Sequence, residues 1–281
     1  MNQARPYFDG GLTVLMAVYR ADDPDLFERA LASVYANTLQ PDKVLLVVDG
    51  PVASTINDTI DRYAHERGLA VLRLATNGGL ANALNQGLKQ IQTAWVARAD
   101  ADDINMPERF ERQARAIALG ENIDIVGGNI LEVELNGTVL GERRVPADHA
   151  SILRYARTRC PFNHMTVVYR HTMVMAVGGY PTLVKEDYGL WASLLAHGCR
   201  AANVPEILVA ATAGSEMYRR RGGLRYARAE FELQRFLVGK GLKSPLAAVA
   251  HGMGRAAVFV LPNRVRGLLY ERLLRRRPSS T

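Results

Sequence analysis

Four apolar runs of strand length recur through the first hundred residues, with helix-forming stretches between them. This alternation limits the fold more than any other feature of the chain. Leu12 to Val18 and Val44 to Val48 are continuous apolar segments, as strands covered on both faces require. Ala70 to Leu74, with Arg73 inside it, and Trp95 to Ala97 are two shorter strands. Between them, Phe27, Ala30, Leu31 and Val34 fall at helical spacing, as do Ile56, Ile60 and Tyr63. Asp23-Pro24 opens the first helix, with Asp25 and Glu28 spaced as in a capping box, and Leu80 to Ile91 predicts a third helix. Strands alternating with helices imply an α/β fold on a mostly parallel sheet with helices on both sides. At 48% hydrophobic and 22% charged, the 281 residues can supply a real core for one large domain with an appendage.

Sheets of this kind bind ligands beyond the carboxyl ends of their strands. Three polar positions fall at such ends: Tyr19-Arg20, Asp49, and the acids after Trp95 to Ala97. The last of these reads Arg98-Ala99-Asp100-Ala101-Asp102-Asp103, three carboxylates within four residues, before Pro107 starts a helix to Leu119. Carboxylates this close repel one another, and a bound cation would supply the missing charge. The bland alternative is a solvated acidic turn with a helix cap; the company of Tyr19 and Asp49 favours the cation. A dinucleotide-dependent oxidoreductase would need a glycine-rich turn after the first strand, and Ala17 to Asp23 has none.

The pattern then changes. Ile123 to Val133 and Val139 to Val145 are extended and joined at Asn136-Gly137, a hairpin signal. Ser151 to Arg157 is helical, Met165 to Tyr169 a short strand, and a further helix ends at Gly178-Gly179. Tyr188 to Ala196 is helical and Cys199 to Ala211 extended, so a parallel half is followed by a mixed one. Cys160 and Cys199 match no disulfide framework or zinc spacing, and Met1 to Gly10 does not resemble a signal peptide. Both features predict a cytoplasmic protein.

The boundary is expected near residue 214, with a basic helical tail over 215–281. Of the 35 Lys and Arg, 15 lie from Arg219 onward, against 3 of the 28 acids, so the net charge of +7 belongs to the tail. That distribution argues against a nucleic-acid-coating domain. Helices are expected over Leu224 to Val238 and Pro245 to Leu261, the second too short and polar to span a membrane. Leu268, Leu269, Leu273 and Leu274 beside Arg264, Arg266, Arg272 and Arg275 to Arg277 suit a helix on an anionic membrane surface. A helix packed on the domain with a solvated basic face fits them equally.

Taken in order, the motifs resemble a known family. They are Met16-Ala17-Val18-Tyr19, Val47-Val48-Asp49, Asn77-Gly78-Gly79-Leu80 with Asn85-x-Gly87, and Arg98-x-Asp100-Ala101-Asp102-Asp103. Asn163-His164-x-Thr166, Gly178-Gly179-Tyr180 and Glu186-Asp187-Tyr188-x-Leu190-Trp191 follow. Over about residues 10 to 215 the chain resembles the family 2 inverting glycosyltransferases with a GT-A (Rossmann-like) fold, particularly those assembling bacterial surface polysaccharides. The resemblance implies transfer of a hexose from a UDP-sugar to a glycan acceptor, expected to be lipid-linked, with Mn2+ or Mg2+ as cofactor. It implies a peripheral position at the inner face of the cell membrane, with the basic tail against anionic lipid.

The resemblance also assigns roles. Asp102 meets the metal, Asp100 the ribose or metal-bound water, and Asp103 orients them or caps the helix near Pro107. Asp49 accepts the uracil imide proton, Tyr19 stacks on the base, and Ala17, Asn77 and Arg98 complete the nucleotide side. Asp187 is the base that takes the acceptor proton, at the start of a helix whose dipole favours its charged form. Glu186 supports the acceptor side or a basic partner. His164 reaches metal, phosphate or acceptor, or else is a hydrogen-bonded structural histidine; His171 and His197 read as structural. Where relatives carry a Tyr-Arg phosphate clamp, this chain has Val209 to Gly214, with arginines only at Arg219 to Arg221. Two other readings compete. A sugar-1-phosphate nucleotidyltransferase-like enzyme shares the metal acids but wants a glycine-rich basic loop after the first strand. A catalytically silent sugar-nucleotide or membrane scaffold would not need Asp100, Asp102 and Asp187 intact.

Overall fold

In the computed structural model, residues 7–213 and 223–260 are described. The parallel half runs β1 (Leu12–Val18), α1 (Pro24–Tyr35), β2 (Lys43–Asp49), α2 (Ser54–Arg67), β3 (Ala70–Leu74), α3 (Leu80–Leu88) and β4 (Trp95–Arg98). Next come β5 (Ile104–Asn105), α4 (Arg109–Leu119), β6 (Ile125–Val133), β7 (Val139–Arg143) and α5 (His149–Tyr155). A single 3-10 turn at His164–Thr166 leads into β8 (Val168–Arg170), α6 (His171–Ala176), α7 (Glu186–Ala196) and β9 (Ala201–Thr212). Two helices close the described chain, α8 (Leu224–Gly239) and α9 (Pro245–Val260).

β1 sits between β2 and β4, parallel to both, and β3 extends the sheet beyond β2. β8 joins β4 antiparallel and opens the mixed half, giving the order β3-β2-β1-β4-β8-β6-β9-β5 with β7 on β6. Alternate strand residues feed opposite faces. Val14, Met16, Trp95 and Ala97 pack with Phe27, Leu31, Ile56 and Phe110 of α1, α2 and α4. Leu15, Val47 and Val96 pack with Leu84, Leu88, Leu190 and Trp191 of α3 and α7. The second face depends on Gly87: a Cβ there would lie 2.5 Å from Leu15 Cδ1 and 2.9 Å from Val47 Cγ2.

Several boundaries differ from the sequence reading, each for a physical reason. Asp23, not Asp25, caps α1, accepting from the backbone N–H of Asp25 and Leu26 at 2.9 and 3.1 Å. α3 ends at Leu88, and Ile91 is buried from the turn that follows rather than from the helix. β5 was not anticipated; it pairs with β9 and delays α4 to Arg109. His164–Thr166 forms a turn instead of a strand start because the Thr166 hydroxyl donates back to the Asn163 carbonyl at 2.8 Å. α7 begins at Glu186, two residues before the expected start.

The C-terminal helices pack onto the sheet domain. Leu233 and Leu237 of α8 are buried against Tyr188 and Ala192 of α7. Among the described residues no helix is long and apolar enough to cross a membrane. Arg219 to Arg221 and the basic segment from Arg264 to Arg277 lie outside the described residues.

Candidate active site

The parallel pairing brings the carboxyl ends of β1, β2 and β4 to one edge of the sheet. Tyr19 leaves β1 there, 37% exposed, its backbone N–H donating to Asp22 Oδ2 at 2.8 Å. Ala17, one turn of the strand earlier, is half-buried against the second core. Asp49 ends β2 and is buried. Its Oδ1 and Oδ2 accept from the Gly78 and Gly79 N–H groups at 2.8 and 2.9 Å, while Asn77 Nδ2 donates to its carbonyl at 3.2 Å. Asp49 and Asn77 therefore fix the loop that enters α3. Each carboxylate oxygen keeps a second lone pair for another donor.

The acids after β4 divide by surroundings. Arg98, only 1% exposed, pairs with Asp100 and donates to the Ala99 carbonyl, while its buried Nε has no partner among the described residues. Asp102 is exposed, and its carbonyl accepts from Thr212 Oγ1 at 2.5 Å. Asp103 is buried, and its Oδ1 accepts from the Thr212 N–H at 2.8 Å. Asp103 thus ties the acidic loop to the end of β9 and does not cap α4, whose N-cap is Glu108. Burial first, then Asp100 and Asp102, holds the Asp103 carboxyl well above the usual range. Asp22 joins the same cluster. Its pKa is pushed up to about 6 by burial, with Asp102 and Asp100 adding to the shift.

Beneath the acids lies a buried polar anchor that the sequence reading missed. Arg109 donates to the Arg98 carbonyl at 2.7 Å and also to Asn105 and Gln113. Gln113 Nε2 in turn donates to the Val126 and Thr166 carbonyls at 2.9 and 2.7 Å. The end of β4, β5, β6 and the 3-10 turn are held together at this point. Burial, then the neighbouring Arg98, lowers the Arg109 pKa to about 9.

On the other side of the edge stand Glu186 and Asp187, in the first turn of α7. Asp187 Oδ1 accepts from the Tyr188 N–H at 2.7 Å, and the Cys160 thiol donates to Oδ2 at 3.8 Å. Burial raises the Glu186 pKa to about 7, with Asp187 the next cause and Asp100 contributing. His164 Nε2 shares a 3.0 Å hydrogen bond with the Tyr180 hydroxyl, and its ring centroid lies 5.5 Å from Tyr180 and 5.9 Å from Trp191. Burial and then Arg98 push its pKa down to about 4, although Asp100 and Asp187 pull the other way. His164 is neutral at pH 7 and stands within electrostatic reach of both acid groups. Tyr180 is held by Asn85, whose amide pairs with the Tyr180 N–H and carbonyl, both at 2.8 Å.

Asp22, Cys160 and Tyr180 are site residues to which the sequence reading gave no role. Asp22 had a findable signal, lying just past the end of β1. Cys160 had none, since 27 residues separate it from Asp187.

Among the described residues no three His, Cys, Asp or Glu side chains converge as a ready metal cage. The donor set nevertheless fits a hard divalent ion. Asp102 and Asp100 raise the cost of ionising Asp22, and Arg98 is the cation acting on Asp22 from within the cluster. Mg2+-like ions commonly take one or two carboxylates and complete their shell with water and substrate phosphate.

An α/β sheet with acids at the β1 and β4 ends is the arrangement expected of a glycosyltransferase of the GT-A class. The comparisons agree. The model for "Glycosyl transferase family 2" matches residues 13–179, and this chain belongs to that family. It is 36% identical over 265 residues to the UDP-Gal:alpha-D-GlcNAc-diphosphoundecaprenol beta-1,3-galactosyltransferase of Escherichia coli, covering 94% of this chain and 96% of the relative. It is 34% identical over 263 residues to the amylovoran biosynthesis glycosyltransferase AmsE of Erwinia amylovora, covering 92% and 98%. A solved mannosyltransferase from Pyrobaculum calidifontis, in complex with GDP-Man and Mn2+, superposes with a TM-score of 0.57 at 16% identity, covering 96% of this chain and 85% of that one. That likeness speaks to the fold.

Proposed function

We propose that this glycosyltransferase moves a hexose from a UDP-sugar to the sugar of a lipid-linked glycan, inverting the anomeric centre. One observation carries the reading: Asp100 and Arg98 act electrostatically on Asp22, on His164 and on Glu186, so the acidic loop after β4 and the start of α7 border one site. Asp102 and Asp100, supported by Asp22, would hold Mn2+ or Mg2+. The ion supplies counter-charge for the departing diphosphate. Arg98 adds a cation on the same side, Tyr19 offers a ring face to the base, and Asp49 has lone pairs left for the uracil imide. Ala17 and Asn77 line this nucleotide side.

On the acceptor side, the hydroxyl oxygen bonds to the anomeric carbon as the bond from that carbon to the diphosphate breaks. The hydroxyl proton passes to a carboxylate oxygen of Asp187, so a single base suffices. Glu186, with a pKa of about 7, is protonated in much of the population near neutrality and can donate a hydrogen bond to the acceptor. Neutral His164 sits between the two halves as a positioning group for either. The lipid-linked acceptor follows from the Escherichia coli relative, whose name specifies GlcNAc-diphosphoundecaprenol. The 15 basic residues from Arg219 onward suit the anionic surface on which such an acceptor lies.

Calorimetric titration with UDP, with and without Mn2+, tests the donor half, and a panel of UDP-sugars scored for UDP release tests the rest. Metal-dependent UDP binding and preference for one UDP-sugar are expected. UDP binding that ignores the metal, or none at all, would leave a scaffold in place of the enzyme.

A further inference from the structure

A buried carboxylate outside the site reaches the catalytic base by two routes. Glu230 of α8 is 0% exposed and is held by Lys185, by Gln234 Nε2 at 2.7 Å, and by Arg255 Nε at 3.6 Å. Lys185 is the N-cap residue of α7, directly ahead of Glu186 and Asp187. Arg255 of α9 donates through Nη1 to the Thr158 carbonyl at 2.9 Å. Two residues further on, the Cys160 thiol lies 3.8 Å from Asp187 Oδ2 and 3.4 Å from the Phe162 carbonyl, the two acceptors open to its one proton. The residue two positions before the base and the segment that leads to its neighbour Cys160 are therefore both tied to one carboxylate.

The sign of the charges explains why a carboxylate is needed. A helix N-terminus is electropositive and disfavours a cation. Lys185 nonetheless occupies that position at α7, and Glu230 is the counter-charge that draws its ammonium away from Asp187. Burial works to raise the Glu230 pKa, but Arg255 and Lys185 outweigh it and hold the carboxyl below its usual range. Lys243 Nζ extends the network, donating to Gln234 Oε1 at 2.7 Å.

We infer that Glu230 is a positioning residue for Asp187, so that the C-terminal helices set the geometry and charge of the catalytic base. This rests on Asp187 being the base. Without the Glu230 charge, the Lys185 ammonium turns toward Asp187 and weakens it as a proton acceptor. The titratable groups interacting with Asp187 are Lys185, Glu186, Cys160, His164 and Tyr188; of these Lys185 alone is a cation paired with Glu230, whose other cation, Arg255, keeps the Thr158 carbonyl.

The test compares Glu230→Gln, Lys185→Met, their double variant, and Leu233→Ala as a packing control on the same helix. Expected for Glu230→Gln is a fall of about tenfold in kcat with KM for the UDP-sugar unchanged, and an acidic limb of the kcat–pH profile moved to lower pH. The double variant should restore that limb, and amide hydrogen exchange over residues 185–190 should quicken in Glu230→Gln. Leu233→Ala should lower Tm with the pH profile unmoved. A wild-type kcat and pH profile in Glu230→Gln, or the same limb shift in Leu233→Ala, would overturn the inference. Asp187→Asn run alongside separates the two claims. If it turns over normally the base assignment fails, whereas if it is inactive and Glu230→Gln is unaltered, only the positioning role fails.

Discussion

Glu186 and Asp22 both resist ionisation, and the sign of that resistance sets the pH behaviour of the metal-free protein. Their folded pKa values of about 7 and about 6 stand above the ordinary 4.5 and 3.8. Between those limits the folded state binds more protons than the unfolded one, so their contribution to stability is full at low pH and lost as pH rises. His164, at about 4 against 6.5, works the opposite way and gains stability across the same window. Glu186→Gln should therefore raise stability at pH 7.5 by roughly 1–2 kcal/mol in urea unfolding, with the gain gone near pH 4. Asp22 must release its proton when a divalent ion arrives. Thermal stabilisation by Mn2+ with UDP should accordingly be larger at pH 7.5 than at pH 5, and equal shifts would remove Asp22 from the site. Asp103 behaves as a structural acid. Asp103→Ala should cost about 1–3 kcal/mol by stranding the buried Thr212 N–H, while Asp103→Asn, which keeps the acceptor, should cost much less. At this scale the legible residues were those at the ends of apolar runs: Tyr19, Asp49, Asp100 and Asp102. Asp22, just past the end of β1, carried the same signal, whereas Cys160 meets Asp187 only through tertiary packing.

Among the elements, the four parallel strands could be read directly because β1, β2 and β4 are apolar runs and β3 is a short, mostly apolar one broken by exposed Arg73, and the structure has them within two residues of the expected limits. The 3-10 turn at His164–Thr166 and the two-residue β5 could not. β5 exists through its pairing with β9, a partner far along the chain, and the turn, closed locally by the Thr166 hydroxyl on the Asn163 carbonyl, is held from a distance by the Gln113 bond to the Thr166 carbonyl. The Asn85-x-Gly87 motif, legible only by resemblance, has a packing explanation. Asn85 fastens α3 to Tyr180, and Gly87 lets α3 lie flat on β1 and β2. Gly87→Ala should overpack that face and cost about 1–3 kcal/mol, measured by urea unfolding.

At the scale of the molecule, the sequence marks the C-terminal region by charge and not by packing. The apolar and buried side of α8, with Glu230 inside it, was masked by the surrounding arginines. The division into residues 1–214 and a tail is best carried as a functional proposal: a catalytic sheet domain, then helices that lead to a basic membrane-facing segment. Removing residues 261–281 should leave metal-dependent UDP binding intact and abolish flotation with anionic vesicles. Undiminished flotation would assign membrane contact to another surface.

The most direct measurement of the central claim is the behaviour of Asp187→Asn, assayed for UDP–Mn2+ binding and for sugar transfer in the same preparation. Loss of the base should lower kcat about 10³-fold while UDP affinity stays within a factor of two. Transfer at the wild-type rate would contradict an inverting displacement in which Asp187 takes the acceptor proton.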